Sequence, residues 1–302
     1  MLDQTLPVFI AVAEKRNFTR AAEELHMTQP AVSQYISALE RSAGAKLLER
    51  TNKYVRLTKA GEIVYHHAKE ITGLHTRMLA LVSDLMHVAG GALSIGASYT
   101  FGEYVLPHVI AKLQGSYPDI QPSITIGNTA EIAAEVLGQR LDVGIIEGRC
   151  QEVGLVIEPF AEDHMEIVAA ADHPLAGSDE IDASRLSGQT WIVRESGSGT
   201  REATDLMFGE LGITPRRLME FGSTQIIKES VEAGLGISFL SQWPVRKEMA
   251  LGTLRTITAA GREKPFTRQF SIVTQETPFR TKAAEVFIEL LKSGAWQVKN
   301  LF

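Results

Sequence analysis

Phe18-Thr19-Arg20-Ala21-Ala22-Glu23-Glu24-Leu25-His26-Met27-Thr28-Gln29-Pro30-Ala31-Val32-Ser33-Gln34-Tyr35-Ile36-Ser37-Ala38-Leu39-Glu40-Arg41 decides the fold of the N-terminal part of this chain. Ala21, Ala22 and Leu25 form an apolar stripe at helical spacing, with Arg20, Glu23 and Glu24 on the wet side. Thr28 is placed to cap a second helix, and Pro30 falls in its first turn, where a missing N–H costs nothing. The pattern predicts burial of Ala31, Val32, Tyr35, Ile36 and Leu39 on that second helix. Two helices crossing at about 90–120° over a short turn need close backbone approach, which the paired alanines permit. Left outside are Gln29, Ser33, Gln34 and Ser37, with Arg41 at the C-terminal end. Such side chains reach base edges and phosphates in a DNA major groove. An ordinary amphipathic helix pair without a ligand is the alternative.

Residues 46–58 are expected to form a small hairpin with Asn52-Lys53 near its tip. Lys46, Arg50, Lys53 and Arg56 would offer charge to flanking phosphates, as a wing does. Residues 1–60 hold nine Lys/Arg against six Asp/Glu, a net of +3. The remainder holds twenty-one against thirty, a net of −9. A mildly basic head on an acidic body suits a chain whose head alone meets a polyanion. So small a surplus implies that dimerisation and base contacts must supplement bulk electrostatics.

Residues 1–60 resemble the winged helix-turn-helix of the LysR-type transcriptional regulators. The matching positions are Phe9, Ala13, Phe18, Thr19, Ala21, Ala22, Leu25, Thr28, Gln29, Pro30, Ala31, Val32, Ser33, Ile36, Leu39, Glu40, Gly44, Leu47, Arg50, Thr58 and Gly61. Ala43 stands where the family commonly has Leu, and Leu48 where it has Phe; both are expected to be core-packing substitutions. With this resemblance the candidate DNA-binding set is Thr19, Gln29, Pro30, Ser33, Gln34, Ser37, Arg41, Arg50, Lys53 and Arg56, and the implied partner is a double-stranded operator.

At 302 residues the chain is too long for one small core. Its 44% hydrophobic and 22% charged composition is that of a soluble globular protein rather than a disordered or membrane one. No signal peptide and no run of about 18 apolar residues is evident, so a cytoplasmic location without membrane association is expected. A single cysteine, Cys150, excludes an internal disulfide framework and a cysteine-based metal cluster.

From Thr58, a candidate cap, one long helix is expected. Val64, Ala68, Ile71, Leu74, Met78, Leu81, Leu85 and Val88 follow at near-heptad steps over roughly 28 residues, about 42 Å. A partner chain is the natural cover for such a stripe, with packing on the chain's own body as the alternative; Gly90-Gly91 would end the helix as a hinge. His66, His67, His75 and His87 on this helix are expected to be solvated or at the seam edge, not metal ligands.

Beyond Gly91 strands and helices alternate. Strands are expected at Leu93–Ala97, Ile120–Ile126 and Asp142–Ile146, and helices at Glu103–Gly115 and Ala130–Gln139. That rhythm implies a parallel sheet whose ligands bind beyond the strands' carboxyl ends, at Ser98-Tyr99-Thr100, Gly127-Asn128-Thr129 and Glu147-Gly148. A second half has strands near Glu166–Ala170, Thr190–Val193 and Ile237–Leu240, with helices near Gly199–Leu211 and Gln225–Ala233. The chain returns through Thr267–Thr274 and a final helix, Pro278–Ser293. Leu93–Ser98, Tyr104–Pro107, Tyr117-Pro118, Asp142–Ile145 and Gly234–Ile237 resemble recurrent segments of the LysR co-inducer domain, so the resemblance spans the chain. The implied α/β architecture is a winged helix-turn-helix over 1–58, a linker and dimerisation helix over 59–89, and a periplasmic-binding-protein-like effector domain over 90–302. Its two α/β subdomains would be 90–161 with 267–302, and 162–266.

Val193-Arg194-Glu195-Ser196-Gly197-Ser198-Gly199-Thr200-Arg201 is the second informative stretch. A strand ends, a Gly/Ser loop follows and a helix begins, which exposes N–H groups at a positive helix end. Arg201 would add a bidentate donor if it faced the cleft. The candidate effector-binding set is therefore Ser98, Thr100, Asn128, Thr129, Glu147, Ser196, Ser198, Gly199, Thr200 and Arg201, with a small oxyanion as guest. Glu147 is awkward there unless it is protonated or Arg201 or a nearby N–H holds its charge; alternatively, it selects a ligand able to donate a hydrogen bond. A merely capped loop is the alternative. The stretch also resembles the effector loop of LysR regulators tied to sulfur assimilation and carbon fixation, which implies a sulfur oxyanion or small carboxylate.

A Walker A lysine is missing, and no nucleophile elbow is framed by Ser196-Gly197-Ser198-Gly199. No catalytic residues, cofactor or metal are expected. The leading expectation is a DNA-binding transcriptional regulator whose small anionic effector alters DNA bending and activation, dimeric through the linker helix and assembled into a homotetramer; the alternative is an effector-independent DNA-binding regulator with a vestigial cleft.

Overall fold

A computed structural model describes residues 4–50, 54–84, 90–177, 180–261, 264–277, 279–294 and 296. The chain divides into two compact units, residues 1–86 and 87–302. Lys53, Leu85, His87 and Val88, together with the Arg50 side chain, lie outside the described residues.

The first unit comprises α1 (Thr5–Lys15), α2 (Phe18–Glu24), α3 (Gln29–Ala43), β1 (Leu48–Arg50), β2 (Val55–Leu57) and α4 (Lys59–Asp84). Asn17 starts α2, its Oδ1 accepting from Thr19 N at 2.8 Å and Arg20 N at 3.0 Å. Thr28 Oγ1 accepts from Ala31 N at the start of α3, with Pro30 in the first turn, as the spacing predicts. Val32 and Ile36 are buried in one core with Phe9, Val12, Ala21 and Ala22, and Tyr35 and Leu39 pack half-buried against it, whereas Ala31 is only half-buried. Glu40 is also buried, which the apolar pattern misses. Its Oε1 accepts from Leu47 N (3.0 Å) and Leu48 N (3.4 Å), and Oε2 lies 2.6 Å from Lys46 Nζ. The carboxylate thereby satisfies amides that enter the wing and ties α3 to β1. The wing pairs Leu48 with Leu57, Glu49 with Arg56 and Arg50 with Val55. Leu48 is in the core, whereas Ala43 is exposed, so the expected packing role at Ala43 is corrected: it is the last residue of α3, at the helix end where the chain turns through Gly44.

Thr58 Oγ1 accepts from Gly61 N at 3.0 Å and caps α4. Gly61 is there because a Cβ would stand 2.0 Å from Leu47 O. The start of the expected seam turns inward: Ala68 is buried and Val64 half-buried in the head's own core. Tyr65 Oη and Lys69 Nζ both donate to Glu14 Oε1 on α1. Hence α4 belongs with the head, and the boundary expected after residue 58 does not separate compact units. Farther on, Ile71, Leu74 and Met78 stay 45%, 54% and 49% exposed, leaving that part of the stripe without cover in the single chain. His66 and His67 are exposed and contact Glu70, at 3.3 and 2.8 Å.

The second unit begins with β3 (Gly91–Ser98), α5 (Tyr99–Tyr104), α6 (Leu106–Ser116), β4 (Ile120–Gly127), α7 (Thr129–Leu137), β5 (Val143–Glu147) and β6 (Leu155–Ala170). It continues through α8 (Ala183–Ser187), β7 (Thr190–Arg194), α9 (Gly199–Leu211), β8 (Arg217–Phe221), α10 (Thr224–Glu232) and β9 (Ser238–Ser241). It ends with α11 (Gln242–Leu251), β10 (Leu254–Ile257), β11 (Phe266–Gln275) and α12 (Lys282–Lys292). The helix expected over 103–115 is two helices, because Pro107 in the first turn of α6 cannot donate upstream and the chain breaks at Val105. β3 lies between β4 and β5, parallel to both, as the βαβαβ rhythm predicts. The sheet is nevertheless mixed: β11 pairs antiparallel with β5 and β6, and β6 antiparallel with β9 and β10. The strand β6 runs unbroken through the boundary expected at 161/162, beside a register shift at Phe270/Ser271. The two halves are therefore joined by paired strands rather than loops. Their cores are separate: Phe101, Phe270, Phe287 and Trp296 in one, and Trp191, Phe208, Phe239 and Phe266 in the other.

Burial pushes the Glu40 carboxyl up, but Lys46 and the Leu47 and Leu48 amides outweigh it and hold it below the usual carboxylate range. A depressed folded-state value means that its stabilisation is complete above about pH 4.3 and fades as pH falls through that depressed value. Glu40→Gln should cost about 1–3 kcal/mol of head stability at pH 7. The cost should shrink toward pH 2 in urea unfolding, and a cost independent of pH would contradict the assignment.

Candidate functional site

In the first unit the polar residues of α3 gather on one side. Gln29, Pro30, Gln34 and Arg41 are exposed, Ser33 and Ser37 sit half-buried at the margin, and Thr19 is exposed at the start of α2. Gln29 Nε2 donates to Ser33 Oγ at 2.9 Å and Arg41 Nε to Ser37 O at 3.3 Å, both pre-positioning donors along the helix. On the wing, Arg56 Nε lies 2.7 Å from Glu49 Oε2, and its guanidinium is 5.2 Å from the Tyr54 ring centroid. An exposed pair of this kind exchanges readily for a phosphate.

In the second unit, two buried arginines organise the residues singled out from the sequence. The first, Arg268 in β11, is missed by sequence reasoning, because its polar neighbours Thr267 and Gln269 give no sign that it is buried. Its Nε donates to Asp163 Oδ2 at 2.7 Å, Nη1 lies 2.8 Å from Glu147 Oε2, and the Thr200 and Thr100 hydroxyls accept at 2.9 and 3.1 Å. Ser241 Oγ donates to Asp163 Oδ1 at 2.6 Å and Phe101 N to Glu147 Oε1 at 3.1 Å. Burial raises the Asp163 carboxyl, against the pull of Arg268 and Ser241. Thr100, Glu147 and Thr200 are thus brought together, but around a cation of the protein itself. The charge of Glu147 is held by Arg268 and an amide, not by Arg201.

The helix end at α9 is likewise occupied. Ser198 Oγ accepts from Thr200 N at 3.2 Å. Gly199 packs so tightly that a Cβ would stand 2.0 Å from Glu147 O. Arg201 does not face the cleft: its guanidinium pairs with Asp205 at 3.0 Å and Glu220 at 2.7 Å and caps Arg194 O at 3.1 Å. The expected bidentate donor is therefore spent on carboxylates of α9 and β8. Ser196 is exposed, and Thr129 Oγ1 donates to Glu147 O at 2.9 Å.

The second arginine, Arg194, ends β7 at the cleft mouth. Its Nε and Nη2 donate to Glu195 Oε2 and Oε1, each at 2.7 Å, and Nη1 donates to Thr224 Oγ1 at 3.0 Å. The Tyr99 ring centroid lies 4.4 Å from its Cζ. Burial raises the Glu195 carboxyl, but Arg194 and Asn128 outweigh it and hold it low. Asn128 caps α7 through Oδ1 and also donates Nδ2 to Glu195 Oε1 at 3.3 Å. Ala130 N donates to Gly197 O at 3.2 Å and Tyr104 Oη to Gln225 Oε1 at 3.2 Å, so the halves touch across the mouth. Ser98 Oγ, buried at the end of β3, has no hydrogen-bond partner among the described residues.

A cavity of about 310 Å³ lies along α9, lined by Arg149, Glu202 and Arg268 and by apolar Met165, Met207, Phe239 and Phe266. It shares only Gly199 with the candidate effector set.

Residues 4–62 match the family described as bacterial regulatory helix-turn-helix protein, lysR family, and residues 87–296 the family described as LysR substrate binding domain. The chain is 39% identical over 294 residues to the HTH-type transcriptional regulator CysL of Bacillus subtilis, covering 97% of this chain and 98% of that one. The regulatory domain of Synechocystis CcmR in complex with 2-PG superimposes with a TM-score of 0.62 at 28% identity, over 70% of this chain and 98% of the other. Full-length CbnR complexed with its target DNA shares the fold, with a TM-score of 0.72 at 22% identity over 97% and 99%.

Arg268→Met leaves two carboxylates buried without a cation, which should cost about 3–5 kcal/mol. Guanidinium unfolding of the second unit's transition measures it; a loss under about 1 kcal/mol would show that Arg268 is solvated rather than the hub of these contacts.

Proposed function

Because the chain belongs to the LysR family of bacterial transcriptional regulators, we propose that its head reads an operator with Gln29, Ser33, Gln34 and Ser37 while its body senses a small anion. Thr19, Pro30, Arg41, Arg50, Lys53 and Arg56 position the duplex through its backbone. The observation that carries the DNA-reading assignment is the polar outer face of α3, whose inner face is consumed by the head's core. The exposed stretch from Ile71 to Met78 supports a homodimer through α4, and side-by-side bodies would extend it to a tetramer.

The anion site is the cleft mouth, with Ser98, Asn128 and Arg194 as its centre. Its support is a buried hydroxyl, Ser98 Oγ, without a partner among the described residues, next in sequence to Tyr99, whose ring lies against the buried Arg194 guanidinium, in a unit that matches the LysR substrate binding domain family. A sulfur oxyanion or small carboxylate is the chemistry that suits these donors. The effector-independent reading keeps one specific observation in its favour: Ser198, Gly199, Thr200, Arg201 and Glu147 are all engaged by protein atoms.

Duplexes selected from a random pool by the wild-type protein supply the test. Gln34→Ala and Ser33→Ala should each lose about 1–3 kcal/mol of discrimination between selected and scrambled duplexes at fixed salt. Unchanged discrimination would remove α3 as the reading element. Leu74→Glu with Met78→Glu should shift sedimentation toward the monomer; a persistent dimer would place the interface elsewhere.

A further inference from the structure

We propose that Glu195 is a built-in competitor of the effector: its carboxylate occupies the Arg194 guanidinium, and the anion binds by displacing it. This rests on the reading that the cleft takes an anion, and adds how the site is kept closed to weak ligands. The Arg194 side chain is 1% exposed, so it cannot stand without a counter-charge, and Glu195 supplies one through two parallel hydrogen bonds of 2.7 Å.

The partners of Arg194 differ in how firmly they are held. Tyr99 and Thr224 sit on α5 and α10, and their ring and hydroxyl fix the guanidinium plane. Glu195 stands on the loop between β7 and α9, which continues through Gly197 at φ +86°. Neighbouring side chains on a strand point to opposite faces, so a bidentate contact between residues 194 and 195 is possible only because the chain leaves the strand here. With its side chain already 24% exposed, the carboxylate can swing into water without opening the core.

What it leaves behind is a set of donors shaped for the edge of an oxyanion. Arg194 Nε and Nη2 would meet two oxygens, and Asn128 Nδ2, now on Glu195 Oε1, would meet one of them. Replacing one carboxylate by one monoanion leaves the charge of the pocket unchanged. Other ionised groups around Arg194 include Arg201, whose Nη1 donates to Arg194 O, and Glu103, whose carboxyl burial raises against the pull of Arg194 and of Lys228, itself paired with Glu248 on α11. The exchange also breaks the Asn128–Glu195 link between the two halves. The occupant of Arg194 therefore determines one of the contacts across the mouth.

Competition lowers apparent affinity by the fraction of molecules in which the guanidinium is free. Calorimetric titration of the full chain with sulfite, sulfate, phosphate and glycolate, at constant ionic strength set with chloride, tests this. Chloride cannot bridge the fork. In Glu195→Gln at least one of these anions should bind ten-fold or more tightly than in wild type, meaning that the carboxylate covers Arg194 about nine-tenths of the time. Arg194→Lys should abolish the gain when combined with Glu195→Gln. A gain of affinity is an outcome that a merely structural glutamate does not produce. Equal or weaker binding in Glu195→Gln, with wild type still binding, overturns the competition and leaves the anion cleft standing. Binding that survives in the Arg194→Lys double variant overturns it too, by placing the anion elsewhere. Absence of binding to both wild type and Glu195→Gln overturns the competitor and the anion cleft together.

Discussion

A guanidinium taken out of water has to be answered by charge and by hydrogen bonds at every donor, and Arg268 imposes that requirement where β5, β6 and β11 lie side by side. Glu147 at the end of β5 and Asp163 within β6 supply the charge, while Thr100 and Thr200 accept the remaining bonds from α5 and α9. Strand β5 of one half, strand β6 shared by both, and helices of both halves are thereby fixed around one side chain. The close approach of α9 to β5 follows, and only glycine at 199 allows it.

Arg194 is the counterpart at the cleft mouth. Both arginines are buried and both are met by carboxylate. The Arg268 carboxylates are strand-borne and surrounded by core, whereas the one on Arg194 is carried by a loop and partly wet. An effector acts only through its differential affinity for two arrangements, typically worth about 1–3 kcal/mol of coupling. The rigid hub gives the halves a defined pairing; the exchangeable one offers a contact whose partner can change. In the head, Glu40 does for α3 and the wing what Arg268 does for the body, by spending one buried carboxylate on amides from another element.

Local chemistry carries most of the fold. The caps at Thr28 and Thr58, the inward face of α3, the wing register and the βαβαβ start of the second unit all follow from periodicity and turn residues that act within a few positions. Long-range pairing does not. Nothing local in residues 155–170 says that one strand will serve both halves, or that β11 will run antiparallel beside it. The same limit governs the site. Asn128 and Ser98 fall at the strand ends where the topology predicts them, but Arg201 turns to Asp205 and Glu220, partners nineteen or fewer residues away that no motif flags. Arg194 and Glu195 stand inside the informative loop without announcing that they pair, because the bond depends on where β7 stops. Val64 and Ala68 fit a heptad seam as well as they fit the head's core, and only the position of α1 decides between them.

The proposed function requires that the occupant of the cleft mouth change how the head holds DNA. Fluorescence energy transfer between dyes at the two ends of a selected duplex, bound by the full chain, measures that directly. Titrating an anion that binds the body should change the end-to-end distance with the midpoint of its binding curve. A distance that stays constant while the cleft fills would contradict the claim.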